Sequence, residues 1–134
     1  MNLSATRIVT DDVDRLVAFY ETVTGTAPTR LHELFAELRT PTGTLAIASS
    51  RTVPAMGPGV AEARANRSVL LDFLVDDVDA AYARLRPVLT DVVREPADMP
   101  WGNRSLLLRD PDGNLVNVFT PSTDAARSRS VPAS

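Results

Sequence analysis

Arg109-Asp110-Pro111-Asp112-Gly113-Asn114-Leu115-Val116-Asn117-Val118-Phe119-Thr120-Pro121 reads as the end of one strand, a tight turn and a second strand. Pro111 brings the fixed φ that suits the second position of a turn, and Asp112 can bond its own backbone. Gly113 can take a positive φ with no Cβ to clash. The favoured geometry is a type I turn followed by a bulge, closed by Asp110 and Asn114. Val116, Val118 and Phe119 then continue as a β-rich strand that Pro121 ends.

This closure sets a register. With Asp110 paired to Asn114, Leu107 falls opposite Asn117, Arg109 opposite Leu115 and Ser105 opposite Phe119. Leu106, Leu108, Val116 and Val118 share the other face, which is wholly apolar and suited to packing on a helix. The Asn117 face is mixed, as the wall of a ligand site is.

Working outward, the hairpin proves to be the second copy of something. Arg39-Thr40-Pro41-Thr42-Gly43-Thr44-Leu45 echoes Arg109 to Leu115, and Asp11-Asp12-Val13-Asp14 recurs as Asp76-Asp77-Val78-Asp79. Each Asp cluster follows a strand (residues 3–10 and 67–75) and opens a helix, where the dipole favours negative charge and an Asp can cap. Val13, Leu16, Val17, Tyr20 and Val23 give the first helix its apolar face, and Gly25 ends it. Val78, Ala81, Tyr82, Leu85 and Val88 do the same for the second, with Pro87 near its end. Alternating residues 28–39 and strand 44–49 complete the first half. A short strand 91–95, a loop 96–103 and the hairpin complete the second.

The expected fold is therefore α+β: two βαβββ half-repeats, about 3–49 and 67–120, forming a curved mixed sheet around a cavity with helices on the outer face. Residues 1–121 read as a single domain. Residues 50–66, with Pro54, Gly57, Pro58 and Gly59, read as a linker, and 122–134 as a loose tail.

Composition narrows the function. The 134 residues hold 44% hydrophobic and 23% charged side chains, enough for one domain with a real core. Net charge is −3 and the 14 Lys and Arg are scattered, so no basic footprint recommends nucleic acid. No apolar run has the length of a membrane span, and no signal-peptide core is visible, so the expected location is cytoplasmic. With one His and no Cys, a site of several His or Cys ligands cannot form in one chain.

The strand leading into Asp12-Val13 and Phe19-Tyr20, its second-half copy at Asp77-Val78, and Asp110-Pro111-Asp112-Gly113-Asn114 together resemble the vicinal oxygen chelate superfamily. That group includes glyoxalase I, ring-cleaving dioxygenases and bleomycin-resistance-type binding proteins, and the resemblance spans residues 3–121. Its metal-dependent members place four ligands, usually His and Glu, on the first and last strands of each half. Carried over, those positions are Ala5 and Leu70, each seven residues before a helix-opening Asp, and Ile47 and Asn117, each four residues after a turn glycine. Ala, Leu and Ile cannot bind a metal, and Asn is a weak oxygen ligand. The resemblance thus implies a metal-free member with no cofactor.

The expected cavity wall comprises Arg7, Phe35, Glu37, Arg39, Asp72, Leu107, Arg109, Asn117 and Phe119, together with Leu45 and Ile47. Leu34, Ala36, Leu38, Ala46 and Ala48 are expected to face the helix. The wall's charges either pair with one another or meet polar groups of a ligand. Trp101, the only Trp, lies in a loop between Pro100 and Gly102 and is the leading candidate for stacking on a planar molecule. His32 reads as a surface residue. The reading that follows is a homodimeric protein that holds a small hydrophobic or aromatic molecule, with drug sequestration as the concrete version and no catalytic residue. The alternative is a metal-independent lyase or isomerase using Glu37 or Asp72 as a base, or a glyoxalase-like enzyme with displaced ligands.

Overall fold

The computed structural model describes residues 1–130. The chain divides into two compact units, Met1–Asn66 with Pro111–Gly113, and Arg67–Asp110 with residues 114–130. Each unit contributes one four-stranded mixed sheet, and the fold is α+β with the expected half-repeat order. Neither sheet closes into a barrel.

The first unit runs β1 (Thr6–Thr10), α1 (Val13–Thr24), β2 (Thr29–His32), β3 (Phe35–Thr40) and β4 (Gly43–Ser49). Its strand order is β1-β4-β3-β2, with β1 parallel to β4 and the other pairs antiparallel. The helix starts where the Asp12 carboxylate accepts the Arg15 amide at 3.1 Å. It stops at Gly25, whose φ of 69° is left-handed. Its stripe of Val13, Leu16, Val17, Tyr20 and Val23 is buried, and α1 packs on β3 and β4. Leu16, Tyr20, Leu38 and Ile47 are almost fully enclosed. Removing one such side chain from water stabilises the fold by about 1.5–3 kcal/mol.

The second unit runs β5 (Leu70–Leu74), α3 (Val78–Leu85), β6 (Val92–Asp98), β7 (Asn103–Arg109), β8 (Leu115–Pro121) and α4 (Asp124–Ser130), in strand order β5-β8-β7-β6. Asp77 caps α3 through the Ala80 amide at 3.1 Å, as Asp12 caps α1. The β7–β8 turn is closed as expected. The Asp110 amide donates to the Asn114 carbonyl at 3.0 Å, and the Asp110 carboxylate accepts both Asn114 nitrogens at 2.9 and 2.8 Å. Leu107 faces Asn117, Arg109 faces Leu115 and Ser105 faces Phe119 across the ladder. Leu106, Leu108, Val116 and Val118 form the buried face, and α3 packs on β6, β7 and β8.

The halves differ in one respect that the repeated turn motif concealed. In the first hairpin Arg39 pairs with Thr44 and Thr40 with Gly43, leaving Pro41 and Thr42 as the loop. In the second, Arg109 pairs with Leu115 and the loop holds one residue more. Gly113 has φ 85° and forms the bulge, whereas Gly43 is not left-handed. A shift of one residue reverses every facing along the strand. Leu45 and Ile47 accordingly share a face with Ala36 and Leu38, under α1. Ala46 and Ala48 share the opposite face with Glu37 and Phe35. This reverses the facing that the repeat implied for Leu45, Ala46, Ile47 and Ala48.

Other boundaries shift as well. The linker holds a 3₁₀ turn (Ser50–Thr52) and a short helix α2 (Val53–Met56). Strand β6 extends to Asp98. The expected loose tail is ordered from Asp124 to Ser130 as α4, with Ala126 completely buried and the helix lying on β8. Residues 131–134 of that tail lie outside the described residues.

Candidate functional site

The open face of the second sheet gathers five of the anticipated residues. Parallel pairing sets Asp72 beside Asn117, antiparallel pairing sets Leu107 beside Asn117, and Phe119 follows opposite Ser105. Arg109 stands half-buried at the turn end of the same face. Asn117 Nδ2 donates to Asp72 Oδ1 at 2.9 Å. Leu70 and Leu74, on either side of Asp72, are 47% and 51% exposed. Leu70, Leu74, Leu107 and Phe119 thus put apolar surface around this polar pair.

Trp101 is 60% exposed, yet its backbone is held firmly. Arg129 Nη2 donates to the Trp101 carbonyl at 2.6 Å, and the Ser122 amide and hydroxyl donate to the Gly102 carbonyl at 2.8 and 2.9 Å. The Gly102 amide closes back on the Met99 carbonyl at 3.0 Å. Gly102 has φ 93°, and a Cβ there would lie 2.4 Å from Thr123 Oγ1, so the loop and the start of α4 meet where only glycine fits. The indole is presented to solvent from a fixed support supplied by α4.

Within the first unit, Arg7, Phe35 and Glu37 lie on one face: Arg7 and Glu37 both flank Ala46 in the ladder. The Arg7 guanidinium carbon stands 5.8 Å from the Phe35 ring centre, a cation–π distance, and Nη1 reaches Met56 Sδ at 3.7 Å. Glu37 is bonded by Arg39 Nε at 2.8 Å, and Arg39 itself is mostly exposed. The Glu37 carboxylate is therefore engaged by Arg39, and the Asp72 carboxylate by the neutral amide of Asn117. His32 is exposed at the end of β2, with its Nδ1 accepting the Leu34 amide at 3.2 Å.

Two features escaped the sequence reading. One is the oxygen-bearing row of Asn103 and Ser105 on the open face of β7. The hairpin register puts Ser105 opposite Phe119, but a lone Ser in an apolar strand carries no signal of its own. The other is α4, whose start was legible in Thr123-Asp124-Ala125-Ala126-Arg127. Thr123 Oγ1 does accept the Ala126 amide at 3.1 Å, and an acidic first turn follows.

A metal-ligand set can now be tested against the register. On the first strands the family positions are Ala5 and Leu70. On the last strands the partner of Arg7 is Ala46 and the partner of Asp72 is Asn117, so the first-half equivalent of Asn117 is Ala46, in place of Ile47. Three of these side chains have no donor atom, and the fourth is tied to Asp72. Among the described residues no three of His, Cys, Asp and Glu converge. This donor set does not fit the family's metal.

Residues 2–118 match the model of the Glyoxalase/Bleomycin resistance protein/Dioxygenase superfamily. The chain belongs to that superfamily. Among solved structures, it is similar to a glyoxalase/bleomycin resistance protein/dioxygenase from Nocardioides, with 26% identity and a TM-score of 0.76 over 92% of this chain and 85% of that one. A Burkholderia phytofirmans PsJN protein of the same family description shares the fold at TM-score 0.78 and 21% identity, covering 90% of this chain and 99% of that one. A curated relative, CFP32 of Mycobacterium bovis, whose name assigns it provisionally to the glyoxylases, is 40% identical over 50 residues. That match covers 37% of this chain and 19% of the relative.

Proposed function

We propose that this chain is a metal-independent small-molecule binding protein of the bleomycin-resistance type, which sequesters a hydrophobic or aromatic ligand without chemistry. The observation that carries this reading is Trp101: a large, exposed indole on a backbone already fixed by α4. Ordering a contact residue in advance removes part of the entropy cost of binding. The half-exposed Leu107, Leu115 and Phe119 and the exposed Leu70 and Leu74 supply apolar surface on the same unit. The absence of donor atoms at Ala5, Ala46 and Leu70 supports binding that needs no metal. Glu37 and Asp72 are each engaged by a neighbour, which weighs against either acting as an isolated base. A homodimer is part of the proposal, and light scattering on the purified chain tests it.

The ligand reading is tested by titrating Trp101 fluorescence with a broad panel of aromatic natural products. Because the chain has a single Trp, saturable quenching reports this loop alone. Saturable binding by some members, unchanged by a chelator, is the expected result. No response across the panel overturns the reading.

A further inference from the structure

We propose that Ser105 and Asn117 form an oxygen pair that selects ligands bearing an –NH₂ donor, a primary amide or an amine, at the polar end of the aromatic-binding face. This rests on the binding reading above and adds the ligand's chemical class. Asn117 supplies the first half of the argument. Its neighbour Asp72 offers only acceptor oxygens, so the amide turns Nδ2 toward it, at 2.9 Å, and Oδ1 points away. That Oδ1 is buried and has no hydrogen-bond partner among the described residues.

Ser105 supplies the second half. The residue is 2% exposed, and its Oγ is likewise buried without a partner. Asn103 Oδ1, one strand repeat further along the same face, is in the same condition. Leaving a buried oxygen without a donor opposes folding, so native sheets rarely keep one, and here three oxygens share one face. Register makes Ser105 and Asn117 diagonal neighbours, with backbone positions about 7–8 Å apart. The two N–H bonds of one –NH₂ group can bridge side chains at that spacing. An ester or ether of the same shape has no N–H for Asn117 Oδ1 and leaves it unpaired, and its oxygen at that place is at most a weak acceptor for the Ser105 hydroxyl.

The test uses a matched aromatic pair, naphthamide and methyl naphthoate, titrated against the intact chain by Trp101 quenching. The amide is expected to bind about tenfold tighter or better, the effect of one buried hydrogen bond to a neutral group. Ser105→Ala should remove part of that preference while melting no lower than the wild type, because the hydroxyl has no bond to lose. Asn117→Leu should remove most of it, since Oδ1 is the atom that only an N–H can satisfy. Equal affinity for amide and ester means that an ordered water serves these oxygens and overturns the donor preference alone. Ser105→Ala melting lower with the preference intact overturns it too, since the hydroxyl is then satisfied within the protein. Failure of both compounds while other aromatic molecules quench Trp101 overturns the donor preference alone, and silence from the whole aromatic panel overturns the binding reading with it.

Discussion

Two glycines mark what a single residue decides here. Gly102 takes φ 93° against Thr123 and Ala126, and Gly43 has an ordinary φ with open space around it. Gly102→Ala is expected to cost about 1–3 kcal/mol of stability in urea denaturation, and Gly43→Ala to stay within about 0.5 kcal/mol. Similar costs at both positions would refute the close packing of the Trp101 loop on α4. Asp79 offers a pH-dependent residue. The hydrogen bond from Arg104 holds its carboxyl below the ordinary value of 3.8, desolvation opposes, and the charge of Arg104 adds to the lowering. A carboxyl lowered by folding contributes stability that is complete above its unfolded value and is lost as pH falls through its folded value. Asp79→Asn should therefore lower the urea midpoint slightly at about pH 6, and the difference should shrink as pH falls below the ordinary carboxyl value of 3.8 and the charge is lost. A difference that persists at the acid end would show that the carboxylate–guanidinium pair is not its source. The effect is small because the pair is exposed to solvent.

At the scale of elements, α4 is the piece whose importance the composition of residues 122–134 hid. Small polar residues suggested a loose tail, yet Ala126 is buried and Arg129 and Ser122 brace the Trp101 loop. Ending the chain after Pro121 should leave the β7–β8 hairpin formed and free the loop. Steady-state anisotropy of Trp101 is expected to fall and its quenching by acrylamide to rise. Unchanged anisotropy in a folded truncated chain would mean that the loop is rigid without the helix. The two hairpins teach the complementary lesson. Their motifs share Arg, Pro, Gly and Leu at matching places, and the second was legible down to its register. The first was misread because the same glycine letter marks a bulge at Gly113 and an ordinary strand start at Gly43. A one-residue difference in loop length then exchanged Ile47 for Ala46 on the open face.

For the whole molecule, the superfamily's fold is present while its metal-ligand set is not, since the four positions carry Ala5, Ala46, Leu70 and Asn117. Purified protein is expected to hold far less than one equivalent of any divalent metal, and aromatic ligand binding should survive chelation. Tight stoichiometric metal, or binding lost with chelator, would send the function back to metal chemistry. Capping, turn and periodicity signals act between residues close along the chain, and the sequence by itself determined what depends on them. That covers the order of strands and the major helices, the Asp12 and Asp77 caps, the Asp110–Asn114 closure and the grouping of Asp72, Leu107, Asn117 and Phe119. Tertiary structure alone decided which carboxylates are engaged, what pins Trp101, which way Ile47 faces, and which oxygens lack a donor. Ile47's facing follows from the length of the β3–β4 loop and Glu37 is engaged by Arg39 two residues on, but the rest depends on contacts between segments far apart in sequence, where burial and hydrogen-bond partners are set by packing and no local preference records them.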